Sequence, residues 1–328
     1  MQYRRFGRTG LQVPAITFGG GWVGGVLIHQ DRATAFAALD RAAAAGVDWI
    51  DTAAMYGNGV SETVIGEWLA ARPAQQRPRI STKYRLDPAA GDYAGQVRRS
   101  VEASLGRLGL DRVEVLILHN QLSAAGGEGR LCPADVLGPA GIAEVVDGLR
   151  AEGLCDFVGL TALGEPAAVR EVVSAGRFDV AQVYYNAINP TAAWTPSPAW
   201  NTTSFDGLLA ACGAQDMGVM GIRIFAAGHL ASADRHGREV PITANSGDDA
   251  EAARAPAVWQ VLGENFGTPA QAALRFGLAC PELSTIVVGM AELDHLEQAL
   301  AAEAAGPLPD EVWSDLKRVW SDHPAFIG

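Results

Sequence analysis

"ITFGGGWVGG", residues 16–25, decides between two ways of building an α/β protein. Gly19, Gly21 and Gly24 match G-x-G-x-x-G behind an apolar run that reads as a strand. In a Rossmann unit a helix must open at once, because its N-terminus holds the cofactor pyrophosphate. Here the first helix start is the capping residue Asp31, seven positions beyond Gly24. The phosphate cradle would lie away from the helix that should polarise it. The glycines therefore do not predict a Rossmann domain.

Outward from that stretch, short β-rich runs alternate with helical runs. "AITFG" precedes "RATAFAALDRAAAAG", "VDWID" precedes "SETVIGEWLAA", and "RISTK" precedes "DYAGQVRRSVEASLGRLG". "VEVLILH", "CDFVGLT", "VAQVYYN", "GVMGIRIF" and "STIVVG" each lead to a further helical run. Strict alternation predicts a parallel sheet covered by helices. Eight units in 328 residues predict a closed (β/α)8 TIM barrel, one domain over residues 1–328. Gly46 and Gly109 sit where helix C-caps belong. The opening "QYRRFGRTGLQVPAI" reads as an N-terminal β-hairpin placed to plug the barrel's bottom. Loops near 120–137, 187–202 and 229–249 are unusually long. All follow strands and so belong to the C-terminal face, where barrel active sites form.

Composition narrows the function. Apolar residues make up 48% and charged residues 19%, as in a soluble globular protein. The balance of 25 basic and 37 acidic residues, net −12, disfavours nucleic acid and anionic membranes as partners. No apolar run is long enough to span a bilayer, and no signal-peptide core is visible. Cys132, Cys155, Cys212 and Cys280 are scattered without C-x-x-C spacing, which suits reduced thiols in the cytoplasm. No His/Cys ligand cluster predicts a metal. The oligomeric state stays open. Lysine occurs only at Lys83 and Lys317, so a lysine in apolar surroundings must do something arginine cannot.

Three successive strands end on ionisable residues: Asp51, Lys83 and His119. By strand alternation Asp51 shares a face with Trp49 and Val47, Lys83 with Ser81, and His119 with Ile117 and Val115. If these faces point inward, an acid, an ammonium and an imidazole meet at the barrel's top. Tyr56 follows in the loop after Asp51. Each residue alone has an ordinary structural explanation as a cap, a surface charge or a packed ring. Together they require mutual pairing, because unpaired buried charge is costly.

"DWIDTAAMYGNGVSETVIGEWL", "ISTKY" and "VEVLILHN" resemble the core of the aldo-keto reductase family. The likeness runs from "YRRFGRTGLQVPAITFGGG" to "IVVGMAELDHLEQALAA". It implies a barrel that binds a nicotinamide dinucleotide and moves hydride to or from a small carbonyl or sugar substrate. Tyr56 would be the general acid and base. A free phenol titrates near 10, and a neighbouring ammonium, Lys83, favours its phenolate. Asp51 would hold that ammonium, and His119 would orient the carbonyl. Trp22 and Asn120 would face the substrate, with Gly20 and Gly21 beside the nicotinamide. Thr161 and Gln182 would bind the carboxamide, although Ala162 stands where many members have Asn. Ile222 falls where an aromatic often stacks. Arg223 would reach the pyrophosphate or form a rim salt bridge, and Phe225, Ala226, Gly228 and Leu230 would continue that loop. Gly289, Met290, Ala291, Glu292, His295 and Gln298 would cover the adenosine end.

Family members usually use NADP, with Lys or Arg at that end. This segment carries Glu292, Asp294 and Glu297 instead, which favours NAD, so NAD and NADP both stand. Some family members oxidise aldoses or pyridoxal. Trp194 and Trp200 would either wall the pocket or only pack loops. The alternative to an enzyme is a cofactor-binding regulatory or accessory subunit.

Overall fold

A computed structural model describes residues 1–232, 237, 242 and 248–328. Strands β1 (Tyr3–Arg5) and β2 (Gln12–Pro14) form an antiparallel hairpin. Eight further strands follow: β3 (Ile16–Gly19), β4 (Trp49–Asp51), β5 (Arg79–Tyr84), β6 (Val113–Leu118), β7 (Cys155–Ala162), β8 (Val180–Tyr184), β9 (Gly218–Ile222) and β10 (Thr285–Gly289). They close into a parallel barrel, with β10 bonded to both β9 and β3.

The helices are α1 (Val26–His29), α2 (Arg32–Ala44), α3 (Val60–Ala70), α4 (Tyr93–Leu108), α5 (Pro133–Leu137) and α6 (Ile142–Ala151). Then come α7 (Pro166–Ser174), α8 (Leu208–Ala214), α9 (Asp248–Leu262), α10 (Pro269–Leu278), α11 (Leu293–Ala305) and α12 (Asp310–Asp322). Asp31 caps α2 as expected, accepting from the Thr34 amide at 2.7 Å. Contrary to the sequence reading, α2 is not the first helix: the single turn α1 opens earlier, at Val26, capped by Gly25. The expected loop over 229–249 lies largely outside the described residues, and its end is already α9. Neither α9 nor α12 belongs to the eight expected units.

Two apolar layers result. The larger lies between the barrel and its helices. The smaller fills the barrel with Phe6, Val13, Trp49, Val115, Ile117, Val180 and Met220. Val47 is a correction: it packs in the outer layer, because β4 begins only at Trp49 and the alternation does not extend back to it. The hairpin does plug the bottom. Phe6, between β1 and β2, meets Trp49 edge-on at 5.2 Å between centroids.

The glycine stretch has a packing explanation. A Cβ on Gly24 would lie 2.4 Å from the Met290 amide nitrogen, so only glycine lets this loop close against the end of β10. Gly25, with φ +74°, turns the chain into α1, whose Val26 amide bonds the Met290 carbonyl at 2.9 Å.

Phe6→Ala should destabilise the fold by about 3–5 kcal/mol, the usual cost of emptying a large aromatic site. Urea unfolding measures it. A loss below about 1 kcal/mol would show that the plug contributes little.

Candidate active site

The strand-end residues converge. Inside the barrel the two core aromatics stop at Trp49, and polar side chains take over toward the C-terminal ends of the strands. Asp51 and Lys83 are buried, with only 2% of each exposed. The Lys83 Nζ donates to Asp51 Oδ2 at 2.5 Å, to the Thr52 carbonyl at 2.8 Å and to the Tyr56 hydroxyl at 3.2 Å. All three ammonium protons are thereby used. Burial pulls the ammonium's pKa down, but the Asp51 carboxylate and the Tyr56 phenol outweigh it and hold the pKa above the ordinary lysine value.

Asp51 is fixed from its other side. Its Oδ1 accepts from Ser81 Oγ at 2.7 Å and from Gln182 Nε2 at 2.8 Å. Ser81 in turn accepts from the Trp49 indole at 3.2 Å. The sequence reading assigned no role to Ser81 or to the Trp49 N–H. Strand alternation, which put Ser81 on the Lys83 face and Trp49 on the Asp51 face, was the signal available.

His119 lies edge-on to Tyr56, with centroids 5.9 Å apart. Its Nδ1 is buried without a hydrogen-bond partner. Burial, then the charges of Lys83 and Arg85, push its pKa down to about 3. The imidazole is therefore neutral at physiological pH and can donate one hydrogen bond while holding no spare proton. A Cβ placed on Gly21 would lie 3.8 Å from the Tyr56 ring, so the missing side chain leaves space there. Gly20 is tied to Asp51 through its amide at 2.8 Å.

Other expected residues divide. Thr161 donates to Gln182 Oε1 at 3.3 Å, so this pair lies beside Asp51. Arg223, with φ +61°, makes no rim salt bridge among the described residues. It begins a strained turn with Ala226, Ala227 and Gly228, all at positive φ. Ala226 and Leu230 are buried, while Ile222 and Phe225 are half-buried.

Asn120 does not fit a substrate contact. Its amide bonds both backbone groups of Leu86 at 2.8 Å and the Gly129 carbonyl at 2.9 Å, clamping two loops together. Trp194 and Trp200 are packing residues: Trp194 meets Trp320 of α12 and Trp200 meets Phe326, at 5.4 and 5.7 Å. Trp22, 44% exposed, stands against His29.

At the last strand, Gly289 and Glu292 are exposed, and Met290 and Ala291 are buried. His295 Nδ1 accepts the Ala291 amide at 3.2 Å. Gln298 donates to Asp294 at 2.6 Å and accepts from Thr268 at 2.9 Å. Glu297 is paired with Arg41 at 2.6 Å, so it adds no free negative charge. Among the described residues no group of His, Cys, Asp or Glu could hold a metal ion, and no helix is long and apolar enough to cross a membrane.

The model of the aldo/keto reductase family matches residues 15–321. L-galactose dehydrogenase of Arabidopsis thaliana is 27% identical over 310 residues, covering 92% of this chain and 88% of that protein. D-threo-aldose 1-dehydrogenase of a Pseudomonas species is 26% identical, covering 94% of each. Norsolorinic acid reductase A of Aspergillus parasiticus is 35% identical over 115 residues, and the match spans only 29% of that protein's length. Among solved structures, an aldo-keto reductase from Bacillus halodurans in its holo form is similar with a TM-score of 0.73, covering 97% of this chain and 96% of that one. At 20% identity that likeness is one of fold.

The depressed His119 pKa makes a direct prediction. Between pH 8 and 5 its ring should stay neutral, with no titration in a long-range ¹H–¹⁵N spectrum. A transition near 6.5 would mean that the ring is solvated and carries a proton.

Proposed function

Because the chain belongs to the aldo/keto reductase family, we propose that it interconverts a carbonyl and an alcohol of an aldehyde, ketone or sugar, using Tyr56 as general acid and base. The observation that carries this reading is the three-way contact of Lys83 with Asp51, Thr52 and Tyr56. A buried ammonium bonded to a phenol oxygen stabilises that oxygen whenever it gives up its proton. The near-full-length likeness to two sugar dehydrogenases favours a sugar among the substrates.

The residues present fit a nicotinamide. A carboxamide needs a donor and an acceptor, and Thr161 and Gln182 offer both beside Asp51. Gly21 keeps the neighbouring space free of side chain. When bound, the nicotinamide supplies or accepts the hydride. In reduction Tyr56 delivers its proton to the substrate oxygen while Lys83 holds the phenolate. In oxidation Tyr56 takes the proton from the alcohol. His119, neutral, donates a hydrogen bond that orients the oxygen and stabilises its developing charge. Asp51 keeps Lys83 in place. A subunit that only bound cofactor would have no use for this proton-transfer set.

Tyr56→Phe removes one hydroxyl and keeps the ring. Turnover of a carbonyl panel should fall about 10²–10⁴-fold while NADH still binds. Turnover within threefold of wild type would remove Tyr56 from the mechanism.

We further propose that NADH binds at least as tightly as NADPH. Glu292 and Asp294 oppose a 2′-phosphate by about 1 kcal/mol each at ~4 Å in high dielectric. Glu292→Arg should shift preference toward NADPH roughly tenfold, about 1.4 kcal/mol. Fluorescence titrations measure both. A wild type preferring NADPH a hundredfold would place the phosphate donors elsewhere.

A further inference from the structure

The first turn of α3 carries a costly group in an apolar place. Glu62 is fully buried, on a helix whose inward residues Val64, Ile65, Trp68 and Leu69 all join the outer apolar layer. A buried carboxylate must be paired, and a hydrophobic residue of similar volume often serves packing as well or better. Glu62 is paired on both oxygens. Its Oε2 accepts from Arg107 Nε of α4 at 2.7 Å, and its Oε1 from the Thr82 hydroxyl of β5 at 2.5 Å.

Thr82 stands between Ser81 and Lys83, which both bond Asp51. By strand alternation it points outward, so Glu62 grips from outside the strand that holds the ammonium inside. The same turn reaches the other members of the site. Ser61 Oγ and Thr52 Oγ1 are hydrogen-bonded at 2.9 Å, and the Thr52 carbonyl is one acceptor of Lys83. The Ser61 amide donates to the Tyr56 carbonyl at 3.3 Å. Two consecutive residues, Ser61 and Glu62, are thus tied to the neighbour of Asp51, to the neighbour of Lys83 and to Tyr56 itself.

The chain after Tyr56 calls for such an anchor. Gly57, Asn58 and Gly59 are all at positive φ, +59°, +53° and +89°. Arg107 packs on the end of this turn, since a Cβ on Gly59 would lie 2.8 Å from its Cδ. A Cβ on Gly66 would lie 2.1 Å from the Arg107 carbonyl oxygen, so α3 and α4 are in backbone contact. The contact of Lys83 with Tyr56, at 3.2 Å, is the longest of the ammonium's three and the first to break if the loop moves. A misplacement of about 1 Å can cost roughly 10²-fold in rate.

We propose that Glu62, held by Arg107, is a positioning residue for the proton-transfer pair: from outside the barrel it fixes the first turn of α3 on Thr82, and through that turn the reach of Lys83 to the Tyr56 oxygen. This rests on the oxidoreductase reading.

The test uses Thr82→Val, which keeps the shape and removes one hydroxyl, and Glu62→Gln, whose carboxamide has a single acceptor oxygen for two donors. Each should lower kcat on the carbonyl panel about tenfold, with KM and NADH affinity within about twofold, and should move the pH profile toward higher pH as the phenolate loses its ammonium. Thr82→Ser keeps the hydroxyl and should keep rate and profile. Leu316→Ala, on the buried face of α12, lowers stability elsewhere and should also keep both. A second readout needs no turnover. The chain has two lysines, so a ¹⁵N-lysine sample gives two ammonium signals, and Lys317→Arg identifies that of Lys83. Thr82→Val and Glu62→Gln should shift the Lys83 signal and speed its proton exchange, while Thr82→Ser and Leu316→Ala should not. Variants that lose stability in urea yet keep the wild-type pH profile and Lys83 signal would overturn the proposal and leave Glu62 a packing residue. Equal changes in Leu316→Ala would overturn it too. If the wild type turns over nothing in the panel, the oxidoreductase reading is what fails, and the Lys83 signal then decides: moved, it supports the positioning role, and unmoved, it refutes it. If Glu62→Gln does not fold, the comparison of Thr82→Val with Thr82→Ser decides by itself.

Discussion

The ion pair between Lys83 and Asp51 sets the terms for the rest of the molecule. Both groups are out of water, and removing either partner of such a pair typically costs about 3–5 kcal/mol. The pair is tolerated because every remaining valence is met: Thr52 and Tyr56 complete the ammonium, and Ser81 and Gln182 complete the carboxylate. The pair itself joins β4 to β5, and its partners come from β5, β8 and the loop after β4. Only a closed barrel brings them to one point. Fold and chemistry are in this sense one arrangement, since the aromatic filling below, ending at Trp49, supplies the indole N–H that orients Ser81.

The two ends of the barrel are closed by opposite means. At the bottom an aromatic side chain from the hairpin fills the bore. At the top, the loop after β3 has glycine at positions 20, 21, 24 and 25, which lets it lie against the end of β10 and leaves room beside Tyr56. The glycine pattern that imitates a phosphate-binding fingerprint is a consequence of this crowding.

Much of this was legible in the sequence. Eight strands followed from alternation of local patterns, and Asp51, Lys83 and His119 followed from their places at strand ends, because side-chain direction in a strand is a local property. What escaped was decided by distant partners. Asn120 looks like a site residue until Leu86 and Gly129 occupy its amide. Trp194 and Trp200 look like a pocket wall until α12 and Phe326 cover them. Glu297 looks like part of an acidic patch until Arg41 reaches it. Helix α9 carries Pro256 in its interior and shows little apolar periodicity. Helix α12 was readable, with Val312, Leu316 and Trp320 at helical spacing, but it lies outside the repeating units.

The scarcity of lysine leaves a mark on the protein's outside. With Lys83 sealed in the barrel, Lys317 on α12 is the one exposed lysine amine, and the N-terminal amine is largely covered beside Glu303. Amine-directed labels and surface-coupling reagents, which decorate most proteins at many points, meet here a nearly single-valued target. A dye or a tether placed by such chemistry would sit on the exposed face of α12, opposite the buried face that carries Val312, Leu316 and Trp320.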